Sequence, residues 1–211
     1  MVKVQFDEAT HTYTIDGKEY PSVTNIVRFL SYDQSKNADP QMALMARERG
    51  TEVHEATALY DYSGEIPGDL SADSAPYVSA YVQFLRDYKP EWKFIEHIMG
   101  DAGLGYCGTL DRAGFIGDDF CILDIKTSYK VNMPSLFAQL YAYNRLFNHC
   151  HNEWILENKI HTQNLFGLQL MRNGKYRLYK ADSGNATDLF YACQMINSVT
   201  ESMKGVRYAV R

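Results

Sequence analysis

The sequence predicts an α/β protein of the α+β kind: a mixed central sheet flanked by helices, with an N-terminal β-hairpin and a helical appendage. Three observations lead there. Asp16-Gly17 and Asn173-Gly174 each sit between short alternating runs, the pattern of tight hairpins. Between about 41 and 88 apolar residues recur at helical spacing, and after Lys89-Pro90 the period drops to that of strands. The resulting order is helices, three strands, helix, two strands, helix, with no internal repeat or linker, so 1–211 reads as a single domain.

The opening VQFDEATHTYTIDGKEY forms a small ribbon, and Ser22 or Thr24 caps a short helix over Val23 to Leu30. A polar stretch, SYDQSKNADP, closes this 1–40 appendage. Helices over about 41–61 and 72–88 form an arch region spanning 41–90. Strands follow over Trp92 to Met99, Tyr106 to Phe115 and Phe120 to Thr127, then a helix from Pro134 to about His149. Strands Leu165 to Met171 and Tyr176 to Ala181 complete a sheet core over 91–182. An amphipathic helix from about Ala186 to Met203 lies in the C-terminal segment, 183–211.

Composition excludes several classes. With 45% hydrophobic and 22% charged residues the chain is not disordered, and no apolar run approaches the roughly 18–20 residues of a membrane span. The start, MVKVQFDEAT, has no basic region followed by an apolar one, so a cytoplasmic location is expected. Cys107, Cys121, Cys150 and Cys193 have no C-x-x-C spacing, which argues for reduced thiols rather than a zinc ribbon or iron–sulfur cluster. A formal charge of -5 argues against bulk electrostatic coating of nucleic acid; any such binding must be local.

The informative stretch is LDIKTS, residues 123–128. On a strand, Ile122, Asp124 and Lys126 share one face while Cys121, Leu123 and Ile125 form the other, the core face. Gly117-Asp118 suits a type II′ turn; residue 116 then pairs with 119, and Asp111 falls opposite Asp124. Facing Cβ atoms would stand about 4.5–5.5 Å apart. Two such carboxylates on an apolar sheet need either a proton or a cation between them, and a hard divalent ion, Mg2+ or Mn2+, suits an all-oxygen pair.

GTLDR at 108–112, followed thirteen residues after Asp111 by D-I-K, resembles the signature of the PD-(D/E)xK nuclease superfamily, in particular its RecB-like exonuclease branch. RGTEVHE, FIEHIMG and QLYAY match that branch's further motifs in order, and HTYTIDGKEYPSVTNIV is similar to the start of its phage-borne and mitochondrial single-strand exonucleases. The resemblance covers most of residues 11 to 143. It implies a restriction-endonuclease-like αβββαβ core and a Mg2+- or Mn2+-dependent DNA exonuclease, preferring single strands, in phage or prophage recombination or repair. Partners would be DNA and phage recombination or replication proteins, with no membrane; the protein would be a monomer or small homo-oligomer. A structure-selective endonuclease or a non-catalytic DNA-binding subunit stays open as an alternative.

Carried over residue by residue, the resemblance makes Asp111, Asp124, Lys126 and Glu96 catalytic, with His54, Asp111, Asp124 and the Ile125 carbonyl as metal ligands. Gly50 would let the His54 helix approach the sheet. Gln139 and Tyr143 would reach DNA or steady Lys126, although Leu136, Leu140, Tyr143 and Phe147 also form an apolar stripe. Ser128 and Thr127, together with Arg47, Arg49, Arg112 and Lys130, are candidates for backbone phosphates.

Overall fold

The structure, a computed structural model, describes residues 3–31, 39–181 and 183–204. Most of the polar stretch SYDQSKNADP, and the C-terminal residues 205–211, lie outside the described residues. Strands β1 (Val4–Asp7), β2 (Thr12–Ile15) and β3 (Lys18–Tyr20) make an antiparallel sheet. The β2–β3 hairpin is the expected one, and β1 pairs with β2 as a third strand of the ribbon. Helix α1 (Val23–Val27) is capped by Ser22, whose hydroxyl accepts from Asn25 N–H, and a 3-10 turn carries it to Ser31.

Helix α2 (Pro40–Ser63) starts where Asp39 Oδ1 accepts from Gln41 and Met42 N–H, and ends on Gly64 in the left-handed region. Helix α3 (Ala75–Tyr88) begins three residues later than expected, because 71–74 form a turn ahead of Pro76. Strands β4 (Glu91–Asp101), β5 (Tyr106–Ile116) and β6 (Asp119–Lys126) form an antiparallel meander. Helix α4 (Met133–Cys150) and a short α5 (Asn152–Glu157), absent from the sequence reading, cross over to β7 (Asn164–Leu170), which lies parallel to β6. Strand β8 (Tyr176–Lys180) pairs antiparallel with β7, and α6 (Ser183–Met203) follows. The sheet order is β4-β5-β6-β7-β8, the mixed sheet expected.

Helices cover both faces. On one, Leu136, Leu140 and Phe147 of α4 pack with Leu110, Ile122, Leu165 and Phe190; on the other, Val53 of α2 and Tyr77, Tyr81 and Phe84 of α3 pack on Leu123, Ile125, Leu168 and Leu170. The expectation that β6 has a single core face is therefore corrected. A central strand with a parallel neighbour is buried on both sides, so Ile122 is as buried as Leu123. Asp124, with 1% of its surface exposed, stands in that interior.

Candidate active site

The turn after β5 sets the register. Gly117 has φ +61, as the first position of a II′ turn requires, and Ile116 pairs with Asp119 as expected. The ladder runs to Arg112↔Leu123, so the next step brings Asp111 against Asp124. There Asp111 Oδ2 accepts the Ile125 N–H at 2.6 Å. That bond engages the Ile125 N–H; ligation by its carbonyl stays a proposal.

Strand β4 brings a second carboxylate. Ile95 pairs with Arg112 and His97 with Leu110, so Glu96 stands across from Asp111, and its own backbone adopts φ +44. A non-glycine residue there costs about 1–2 kcal/mol, a strain typical of positions where side-chain aim matters. Helix α2 supplies His54, whose Nδ1 is 3.5 Å from Glu96 Oε1 and 3.6 Å from Asp111 Oδ1. One ligand atom from each of His54, Glu96 and Asp111 lies within 4.8 Å of the others, a geometry able to hold a cation. Asp124 stands outside this trio.

Asp124 faces a different partner. Lys126 Nζ is 2.6 Å from its Oδ2, an ion pair without hydrogen-bond alignment, and donates to Gln139 Oε1 at 3.0 Å. Gln139 Nε2 in turn donates to the Tyr143 hydroxyl at 3.2 Å. Gly108 admits this arrangement, since a Cβ there would stand 2.8 Å from the Tyr143 ring. Both α4 residues are buried, Gln139 against Lys126 and Tyr143 within the apolar stripe.

Charge crowding leaves its mark. Burial raises the Asp111 carboxyl, His54 opposes, and Asp124 and Glu96 add repulsion, carrying it to about 7. Burial pulls the His54 imidazole down, but Asp111, Glu96 and Asp124 outweigh it and lift it to about 9. Burial raises Glu96, yet His54 and Arg112 bring it below its ordinary value.

The arginines divide. Arg112 is wholly buried, donating to Asp61 (2.6 Å), Glu96 (2.8 Å), the Asp111 carbonyl (2.7 Å) and Thr57 (3.1 Å), so it cannot meet backbone phosphates as expected. Arg49 pairs with Asp73 at 3.2 Å and lies over the Tyr77 ring, bracing α2 against α3. Arg47 is exposed, in a shallow groove along α2 shared with Glu48, Glu52 and Glu55. Ser128 and Lys130 are exposed just past β6, and Thr127 is partly so. A Cβ on Gly50 would meet Thr127 Oγ1 at 3.6 Å, an ordinary contact, so α2 does approach the strand end but not because glycine is required.

Three participants escaped the sequence reading. Asp61 and Thr57 follow His54 at seven and three residues on α2, a spacing that puts all three on one helix face and would have served as a signal. Tyr13 reaches in from β2, its hydroxyl 2.8 Å from Thr109 Oγ1.

No family model matches the chain, and no curated protein does. Among solved structures, similarity is found to an alkaline exonuclease, LHK-Exo, from Laribacter hongkongensis, at 10% identity over 85% of this chain and 91% of that one, with a TM-score of 0.35. A protein designated SSO0001 aligns at 13% identity over 81% and 84%, TM-score 0.33. LHK-Exo in complex with dAMP aligns at 11% identity over 87% and 94%, TM-score 0.29. At TM-scores this low the likenesses bear on neither the chemistry nor the site. Among the described residues no helix is long and apolar enough to cross a membrane, and all four cysteines are free thiols.

Proposed function

We propose that the protein is a divalent-metal-dependent deoxyribonuclease, an exonuclease that prefers single-stranded ends. The observation that carries this is the His54, Glu96 and Asp111 trio, set on three different elements beside the buried Asp124–Lys126 pair. The donor set fits a hard cation. One imidazole nitrogen and several carboxylates suit Mn2+ or Mg2+, and Asp124 Oδ2 is buried with no aligned hydrogen bond. His54, Glu96 and Asp111 would hold the ion, with Asp124 and the Ile125 carbonyl as the remaining candidates.

Bound there, a divalent cation supplies Lewis acidity and a water of lowered pKa. The chain's own residues supply placement. Lys126 holds a positive charge beside the carboxylates, where a phosphoryl group gathers negative charge in the transition state, and Gln139 fixes the ammonium so that little reorganisation is needed. The Arg112 hydrogen bond to Glu96 keeps that carboxylate ionised and aimed. Work on phage or prophage DNA in recombination or repair, with proteins of those systems as partners, completes the proposal.

The test is an end-labelled single strand incubated with the protein and Mg2+, Mn2+ or chelator. Metal-dependent shortening of linear strands, with circular single strands left whole, is expected. Linear strands intact under every metal would overturn the reading.

A further inference from the structure

The loop after β6 carries a residue that the proposed chemistry does not use. Tyr129 is 102% exposed, its ring wholly in solvent, three residues beyond Lys126. Such a separation spans at most about 11 Å of chain. An exposed tyrosine is unremarkable on a loose loop, but this backbone is held. Buried Gln169 on β7 donates from Nε2 to the carbonyls of both Ser128, at 2.8 Å, and Tyr129, at 3.1 Å. Its Oε1 accepts from the Tyr179 hydroxyl at 3.0 Å, which leaves the amide no other orientation. The far end is pinned by Asn132, which donates to the Leu30 carbonyl at 2.9 Å and caps α4. A buried polar side chain, paired with Lys126 across the β6–β7 ladder, thus commits both donors to the backbone that presents an aromatic ring to water. Lys130 adds an exposed cation beside it.

We infer that Tyr129 is a stacking platform for an unpaired nucleobase near the phosphate held at Lys126, an inference that rests on the nuclease reading. A flat, two-sided ring with no protein neighbour stacks on the face of any base, independent of its hydrogen-bonding edge, while Lys130 meets the neighbouring phosphate. A base within a duplex already has both faces covered, so the platform discriminates single from double strands.

The experiment measures binding of a fluorescein-labelled single strand and of a nick-free circular duplex in Ca2+, for the wild type, Tyr129→Ala, Tyr129→Phe and Tyr129→Trp, with Mn2+ titration calorimetry on each. Tyr129→Ala should weaken single-strand binding by about tenfold. The Phe and Trp variants should stay within about twofold of wild type, and Tyr129→Trp emission should be quenched by the single strand alone. Duplex and Mn2+ binding should not change in any variant. Wild-type single-strand affinity in Tyr129→Ala, or equal loss on duplex, overturns the stacking role and leaves the nuclease reading standing. A wild type that takes up Mn2+ but binds no nucleic acid overturns both.

Discussion

Arg112 donates through Nη1 to Glu96 Oε1 at 2.8 Å while its Nε donates to Asp61 Oδ2 at 2.6 Å, so one buried guanidinium ties α2 to the strained residue of β4. Replacing Arg112 by Met strands Asp61 in the interior without its cation. The expected loss is about 3–5 kcal/mol, and Asp61→Asn added to it should restore part, because an uncompensated buried charge is what destabilises. Arg112→Lys should also destabilise, since one ammonium cannot reproduce the fork's four contacts. Urea unfolding at neutral pH measures all of these; an Arg112→Met variant as stable as wild type would show that the network has no structural role.

Asp111 gives a prediction of opposite sign. In the metal-free protein it is buried against Glu96 and Asp124, so Asp111→Asn relieves repulsion while keeping an oxygen for the Ile125 N–H. The variant should unfold at higher urea than wild type in chelator, by about 1–2 kcal/mol, and should lose nearly all metal-dependent cleavage. Added Mn2+ should raise the melting temperature of the wild type and not of the variant, which differential scanning fluorimetry reads directly.

Much of this geometry was legible. Gly117 dictates the turn, the turn dictates the register, and the register alone brings Asp111 to Asp124. His54 and Glu96 were named on the motifs, and the structure brings them within reach of Asp111. What the motifs did not reveal is burial. Arg112 reads as an exposed cation in sequence because nothing local announces that Asp61, fifty-one residues earlier, will meet it. Gln139 and Tyr143 look exposed in sequence until α4 lies on the sheet, with the Tyr143 ring against Gly108 and Gln139 against Lys126. The φ of Glu96 has no sequence signature: the β4–β5 register runs unbroken on either side of it, from Ile95↔Arg112 to His97↔Leu110.

The lysine's acceptor offers a subtler test. Gln139→Leu removes the oxygen that Lys126 Nζ donates to, without touching Asp124. The ammonium should then sample other rotamers, lowering kcat by about tenfold with little change in KM, because substrate contacts stay in place. Gln139→Glu, which keeps an acceptor, should recover much of kcat. Lys126→Met should fall much further. Steady-state kinetics on one labelled single strand separates the three, and equal kcat for Gln139→Leu and wild type would remove Gln139 from the mechanism.

Glu52 carries the acid sensitivity of the α2–α3 junction. Its Oε1 accepts the Ser71 N–H at 2.7 Å, and its Oε2 accepts the hydroxyls of Ser71 and Ser74, each at 2.5 Å. The hydrogen bonds from Ser71 and Ser74 hold the carboxyl below its ordinary 4.5, against a small opposing effect of burial. A folded pKa below the unfolded one means the stabilisation is fully present above about pH 4.5 and drains away as pH falls through the folded value. Protonation would remove acceptors from the buried Ser74 hydroxyl and free the start of α3. Glu52→Gln should therefore cost about 1 kcal/mol at pH 7, discounted for the partial exposure of the group. The gap between variant and wild type should narrow steadily below pH 4.5. Paired urea curves at pH 7, 5 and 3.5 decide the matter, and a gap that widens on acidification would reverse the assignment.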